Sequence, residues 1–331
     1  MQTKDIALVL SSGGPRGLAF IGAIEELESR GYRITSVAGT SMGSLVGGIY
    51  AAGGLEAFRD WIFSVGYHNM LKYMDVSISP SYVLKGEKVI AALEELVPDV
   101  LIENLRIPYT ALAADLYTGD GVIFRSGRLF DAIRASISVP SLFQPYRLGD
   151  KTLIDGGLVS TFPLGYVHRS GHDLLVGFNV NSANRDESLQ LYLRERSGYR
   201  EVEQESVRAI EAIREDSRIP LKKKIMMIGR QGEIVIRNKI MEDRMKGEVQ
   251  ADGNYLSIIS RSFGVANHSI AELEKKLYKP DILAEMPFDS YRAIKDYSKA
   301  REISERGRAL MAAALDGFEG NRGGMVPDLR A

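Results

Sequence analysis

The chain has no cysteine, only four histidines and a single tryptophan. Without cysteine there can be no disulfide, no thiolate nucleophile and no thiolate-bound metal, a usage that fits a reducing compartment. No apolar run reaches the ~18 residues that a membrane-spanning helix needs. A basic excess is lacking as well: the formal net charge is -1, which argues against a protein that grips nucleic acid. No His/Asp/Glu cluster has metal-ligand spacing, so no metal is expected. Met1 to Asp5 run straight into the apolar Ile6–Leu10, with no charged region ahead of a longer apolar stretch. No signal peptide is therefore expected, and the reading is of a cytoplasmic protein.

What the chain does have is an ordinary globular composition, 45% hydrophobic over 331 residues, enough for a sizeable core. Ile6–Leu10 reads as a buried strand, Gly17 to Arg30 as a helix stopped by Gly31, Ser36–Ala38 as a strand and Ser41 to Ala52 as a helix. This alternation predicts a parallel sheet covered on both sides. Helices follow over Leu55–Val65, Gly86–Val97 and Leu129–Ile137, the last ending ahead of Pro140. Strands are expected at Tyr109–Leu116, Val122–Arg125 and Leu174–Val180, with a hairpin around Gly149-Asp150-Lys151. Farther on, Tyr255 to Tyr278 and Ile294 to Leu315 have the apolar spacing of long helices. The simplest division is one domain over 1–316, elaborated at about 186–252, with a flexible tail at 317–331.

Three segments carry chemistry. "GTSMG", Gly39 to Gly43, has Gly-x-Ser-x-Gly spacing; alone it is weak, since roughly 0.1–0.2 matches arise by chance in a chain this long. Its position between a strand and a helix is what a strained nucleophile turn requires, and it offers Ser41 a helix N-terminus. The competing reading is a serine that merely caps the helix. "SSGGPRGLAF", Ser11 to Phe20, is a Gly-rich turn from strand to helix, a setting that clusters backbone N–H groups around an anion. It lacks one glycine of a dinucleotide fingerprint and the lysine of a phosphate loop, so an oxyanion hole fits better. The N–H groups near Gly13 and Gly14 are the candidate donors; Pro15 has none, and Arg16 either orients the loop or stands in solvent. "LIDGGLVSTFP" places Asp155 after a strand and before Gly156 and Gly157, as a turn residue or as a general base.

A Ser-Asp-His order through His168 or His172 is formally available. Yet only one strand precedes Ser36–Ala38, whereas such folds build several before the serine. His168 reads as the end of a short helix before Gly171, and His68 and His268 lack any acidic or glycine-loop setting.

In this order, "GGPRG" (13–17), "GTSMG" (39–43) and "DGG" (155–157) resemble the patatin-like phospholipases. "ALAADLYTGDGVIF" (111–124), "AIRASISVPSLFQPY" (132–146) and "YSKAREISERG" (297–307) are similar to further family segments. The resemblance implies a three-layer α/β/α fold with a mainly parallel central sheet. It implies a lipid acyl hydrolase working through an acyl-enzyme, with Ser41 as nucleophile, Asp155 as base and no metal or organic cofactor. Gly13, Gly14, Arg16 and Gly17 fall in its oxyanion loop, Gly39 and Gly43 in its nucleophile turn, Gly156 and Gly157 after its aspartate. Ser12 departs from the pattern by standing where the family often has glycine. Phospholipids or other acyl esters are the implied substrates; a weakly catalytic lipid-binding or regulatory protein, or an esterase for thioesters or soluble esters, are the alternatives.

Residues 218–247 match no family core. They hold nine Lys/Arg against three Asp/Glu, interleaved with Met226, Met227, Ile228, Ile234 and Ile236. One reading is a lid or patch that docks on an anionic membrane surface. The other, and for such stretches the commoner, is a solvated insertion whose apolar residues pack inward.

Overall fold

The computed structural model describes residues 4–65, 73, 75, 82–183, 255–291 and 295–323. The chain forms two compact units, one of 1–183 with 263–331 and one of 184–262. The second falls almost wholly outside the described residues, and so does the expected elaboration at 186–252 with its basic segment 218–247.

The first unit is built on an eight-stranded sheet. Its parallel part comprises β1 (Lys4–Leu10), β2 (Tyr32–Thr40), β4 (Tyr109–Asp115), β9 (Leu174–Ser182) and β10 (Ile282–Pro287), in the order β10-β9-β1-β2-β4. Antiparallel strands β5 (Gly121–Phe124), β7 (Tyr146–Leu148) and β8 (Lys151–Asp155) complete it beyond β2. A separate parallel pair joins β3 (Tyr82–Leu84) to β6 (Ser141–Phe143).

Both faces of the sheet are covered, and the alternation along β1 shows why. Ile6, Leu8 and Leu10 join the main core with residues of α1 (Ala19–Ser29), α2 (Met42–Ala51), α5 (Leu129–Ser136) and α7 (Ala300–Gly323). Ala7 and Val9 belong to a smaller core with Phe162, Leu164, Val167 and Ala271, the last on α6 (Tyr255–Tyr278). Period-2 side-chain direction thus sorts one strand into two layers. Helices α3 (Leu55–Ser64) and α4 (Glu87–Leu96) pack Phe58, Ile62 and Leu93 against the main core. The result is a three-layer α/β/α architecture with a mainly parallel central sheet.

Register sets up the site. Thr40, the last residue of β2, pairs with Leu112 of β4, and the next β4 residue, Ala113, pairs with Asp155 at the end of β8. Two strand ends far apart in sequence therefore converge on adjacent residues of one strand.

Several expectations need correction. The final helix runs to Gly323, so 317–323 is not a loose tail. Phe318 packs against the main core, and Glu319 accepts from Lys4 Nζ at 2.7 Å and from the Tyr32 hydroxyl at 3.0 Å. His168 is not in a helix; 167–173 holds no regular element, and the His168 carbonyl instead accepts from Ser36 Oγ. The first helix opens as a 3-10 turn over Gly14–Leu18, where Pro15 supplies the fixed φ of an N-terminal position. Strand β2 begins at Tyr32, well ahead of Ser36.

Candidate active site

Ser41 sits at the junction of β2 and α2 with φ 54 and ψ -121, a conformation that a residue with a Cβ rarely adopts. Its neighbours hold it there. The Ser41 amide donates to Ser136 Oγ at 2.8 Å, and the Ser41 carbonyl accepts from Leu45 N at 3.1 Å and Ser44 Oγ at 2.7 Å. Its hydroxyl makes no capping hydrogen bond to the helix it precedes, so capping does not account for this serine. The glycines on either side permit the turn. A Cβ on Gly39 would lie 2.2 Å from the Gly43 carbonyl oxygen, and one on Gly43 would lie 2.2 Å from that of Leu10.

Asp155 ends β8 and is 5% exposed, while Ser41 is 4% exposed. Oδ1 accepts from Gly157 N at 2.7 Å, the local turn bond that an aspartate before two glycines commonly makes. Oδ2 is buried and has no hydrogen bond of ordinary geometry. Burial pushes the carboxyl up to about 6, and the nearby Ser41 hydroxyl and the Gly157 amide only partly offset this. The Ser41 hydroxyl is therefore close enough to stabilise the carboxylate without forming a well-aligned bond. Gly156 lets this loop lie on β4, since a Cβ there would stand 2.3 Å from the Leu112 oxygen.

The glycine-rich loop lies against the serine turn. A Cβ on Gly17 would meet Met42, the residue after Ser41, at 2.4 Å. Gly14 has φ +53 with open space where a Cβ would point, and Gly13 is wedged against Val180. Arg16 donates through Nε to the Val180 carbonyl at 3.0 Å and through a terminal nitrogen to the Tyr291 carbonyl at 3.4 Å. It thereby anchors the loop to the end of β9.

Other residues, none of them a candidate from the sequence, hold these segments. Asn181 donates through Nδ2 to the Ser12 carbonyl and to Ser11 Oγ, pinning the approach to Gly13. Ser136 Oγ, having accepted from Ser41 N, donates to the Leu112 carbonyl at 2.5 Å. Ser136 lies in the family-like segment 132–146, yet only tertiary pairing gives it or Asn181 this role. Of the histidines, His172 is exposed and His68 lies outside the described residues. His268 pairs Nδ1 with the Asn181 carbonyl at 2.7 Å and stacks on Phe288. Among the described residues, the Asp155 carboxyl is stabilised by the Ser41 hydroxyl and the Gly157 amide and by no histidine.

A cavity of about 560 Å³ lies elsewhere, lined by Glu25, Arg59, Phe63, Arg301 and Arg308 among others, and includes no residue of the three motif segments. Among the described residues no group of three or more side chains could hold a metal, and no helix is long and apolar enough to cross a membrane.

A mixed α/β protein with a serine on a strained strand-to-helix turn is the class that this fold defines. The chain belongs to the patatin-like phospholipase family, whose model matches residues 8–168. An uncharacterized NTE family protein of Mycobacterium tuberculosis is 32% identical over 341 residues, covering 96% of this chain and 93% of the relative. The neuropathy target esterase sws of Drosophila melanogaster is 27% identical over 203 residues, covering 59% of this chain and 14% of that protein. Among solved structures, VipD from Legionella pneumophila aligns with a TM-score of 0.43 and 15% identity over 96% of this chain and 67% of VipD. Membership in the family implies hydrolytic chemistry on a lipid substrate.

Proposed function

We propose that the protein is a lipid acyl hydrolase that cleaves carboxylic esters with a Ser41–Asp155 dyad. The observation that carries this reading is the buried Asp155 carboxyl, with Oδ2 lacking a closed hydrogen bond, beside a serine held at φ 54. Ser41 Oγ attacks the ester carbonyl carbon while its proton passes to Asp155. The N–H groups around Gly13 and Gly14 receive the developing oxyanion. The protonated Asp155 then gives its proton to the departing alcohol, leaving an acyl-Ser41 ester and a free carboxylate. Water attacks that ester as Asp155 takes its proton, and the proton returns to Ser41 as the carboxylic acid leaves.

An ordinary aspartate is a weak base at neutral pH. Raising it to about 6 brings its proton affinity nearer to the working pH and still leaves it mostly ionised there. Peripheral contact with a lipid surface, through the basic and apolar residues of 218–247, is part of the same reading. Deleting 222–245 is expected to weaken binding to anionic liposomes; unchanged binding and unchanged activity on micellar lipid would remove that contact from the proposal.

The dyad is tested by fluorophosphonate labelling and a lipid-panel hydrolysis assay on wild type, Ser41→Ala and Asp155→Asn. Wild type should be labelled at Ser41 and release fatty acid, and neither variant should hydrolyse. No adduct on wild type, or equal labelling of Ser41→Ala, would favour a protein that binds lipid without cleaving it.

A further inference from the structure

Glu274, on the same helix as Asn267 and two turns beyond it, is an acid that the reaction above does not use. Its Oε2 accepts from Phe162 N at 2.7 Å, and its Oε1 accepts from Ser160 Oγ. Among the described residues it has no cationic partner, and burial pushes it up to about 7. A largely buried carboxyl without a cation costs stability, so its two bonds into one short segment call for an explanation.

That segment, Ser160 to Phe162, touches every part of the candidate site. The Ser160 carbonyl accepts from Thr40 Oγ1 at 2.8 Å, and Thr40 immediately precedes Ser41. The Thr161 carbonyl accepts from Ser12 N at 2.8 Å, and Ser12 immediately precedes Gly13. Thr161 Oγ1 donates to the Gly157 carbonyl at 2.7 Å, and Ser160 N donates to that of Gly156 at 2.9 Å. The serine turn, the oxyanion loop and the aspartate loop therefore share one three-residue bracket, gripped at both ends by Glu274. Its helix also approaches the aspartate loop directly, for Asn267 Nδ2 lies 3.3 Å from where a Cβ on Gly157 would stand.

We propose that Glu274 is a positioning residue of this active site, fixing Ser160 and Phe162 so that Ser41, Asp155 and the Gly13–Gly14 donors keep one geometry. The inference rests on the Ser-Asp reading above. Nucleophile, base and oxyanion donors tolerate little displacement, because a shift of ~1 Å can cost ~100-fold in rate.

The test uses the full chain, a fluorophosphonate probe and p-nitrophenyl butyrate, well below the melting temperature, with the folded fraction measured in parallel. Glu274→Ala removes both bonds and should lower kcat and the Ser41 labelling rate by ~30-fold, with KM within ~2-fold. Glu274→Gln can still accept from Phe162 N and can donate to Ser160 Oγ, so it should stay within ~3-fold of wild type. If the alanine variant does not fold, Ser160→Ala removes one bond only and should slow labelling by ~3-fold.

Wild-type labelling of a folded Glu274→Ala, or of Ser160→Ala, would overturn the inference. So would a loss that merely tracks the folded fraction, or a glutamine variant as impaired as alanine. Absence of any Ser41 adduct on wild type would defeat the dyad reading and this inference together, whereas equal labelling of wild type and Glu274→Ala would defeat this inference alone.

Discussion

The Ser41 amide donates to the Ser136 hydroxyl at 2.8 Å, and the same hydroxyl donates in turn to the Leu112 carbonyl. One side chain thus ties the strained serine turn to the central strand β4. Ser136→Ala leaves a buried amide and a buried carbonyl without their partner, which should cost about 2 kcal/mol of folding free energy. It should also slow fluorophosphonate labelling, because the turn is free to relax from φ 54. Urea denaturation and labelling kinetics on one preparation check both, and unchanged values in each would mean that Ser136 does not hold the turn.

Under the proposed dyad, Asp155 makes opposite demands on stability and on catalysis. Its ordinary pKa is 3.8 and its folded value about 6, with burial the main cause. Below 3.8 the group is protonated whether the chain is folded or not. As pH rises toward 6 the unfolded chain gives up this proton first, so folding loses on the order of 3 kcal/mol across the window and nothing more above it. Asp155→Asn has no such loss. The variant's stability relative to wild type should therefore rise between pH 3.8 and 6 and then level off, as measured by urea titration at several pH values. In the proposed reaction Asp155 acts in its ionised form, so wild-type kcat/KM should fall on the acid side with a midpoint near 6.

The histidines offer a discriminating control. A histidine acting as general base contributes ~10²–10⁴-fold, so its removal should nearly abolish turnover. The His168 carbonyl accepts from Ser36 Oγ, and His168 and His172 are both exposed. Alanine at either should leave kcat within ~2-fold of wild type. His268→Ala loses the bond to the Asn181 carbonyl and the Phe288 stack, at a cost of about 1 kcal/mol in stability and less than ~10-fold in rate. A collapse of activity in any of these variants would return a triad to consideration.

Legibility in the sequence follows from how local each feature is. β1, β4, β9 and the Tyr146–Asp155 hairpin stand out because continuous apolar runs or turn residues mark them within a few positions. The first half of β2 hides, because Arg33 is drawn outward to Asp5 and Thr35 bonds across to the Ile6 carbonyl, which interrupts the apolar pattern. β10 follows Pro280 and ends on Pro287, residues that read as breakers, and it survives because it is the outermost parallel strand. The three-residue strands β3 and β6 exist only through each other. At the site, glycines advertise themselves because backbone approaches demand them, as at Gly43 and Gly156. Ser136, Ser160, Asn181 and Glu274 do not, since each acts on a segment many residues away and any polar residue looks the same in one dimension.

The end of α7 gives a stability test of the same kind. Ending the chain at Asp316 removes Phe318, which packs on the main core, and Glu319, which pairs with Lys4 and Arg30. Those ion pairs are partly exposed and worth little, so the apolar contact should dominate. Truncation should cost about 1–3 kcal/mol, most of it reproduced by Phe318→Ala. Glu319→Gln keeps an acceptor for the Tyr32 hydroxyl and should change stability by less than about 0.5 kcal/mol. Denaturation midpoints for the three variants separate these contributions. A truncated chain as stable as wild type would mean that the last turns of α7 add nothing to the core, despite the place of Phe318 against it.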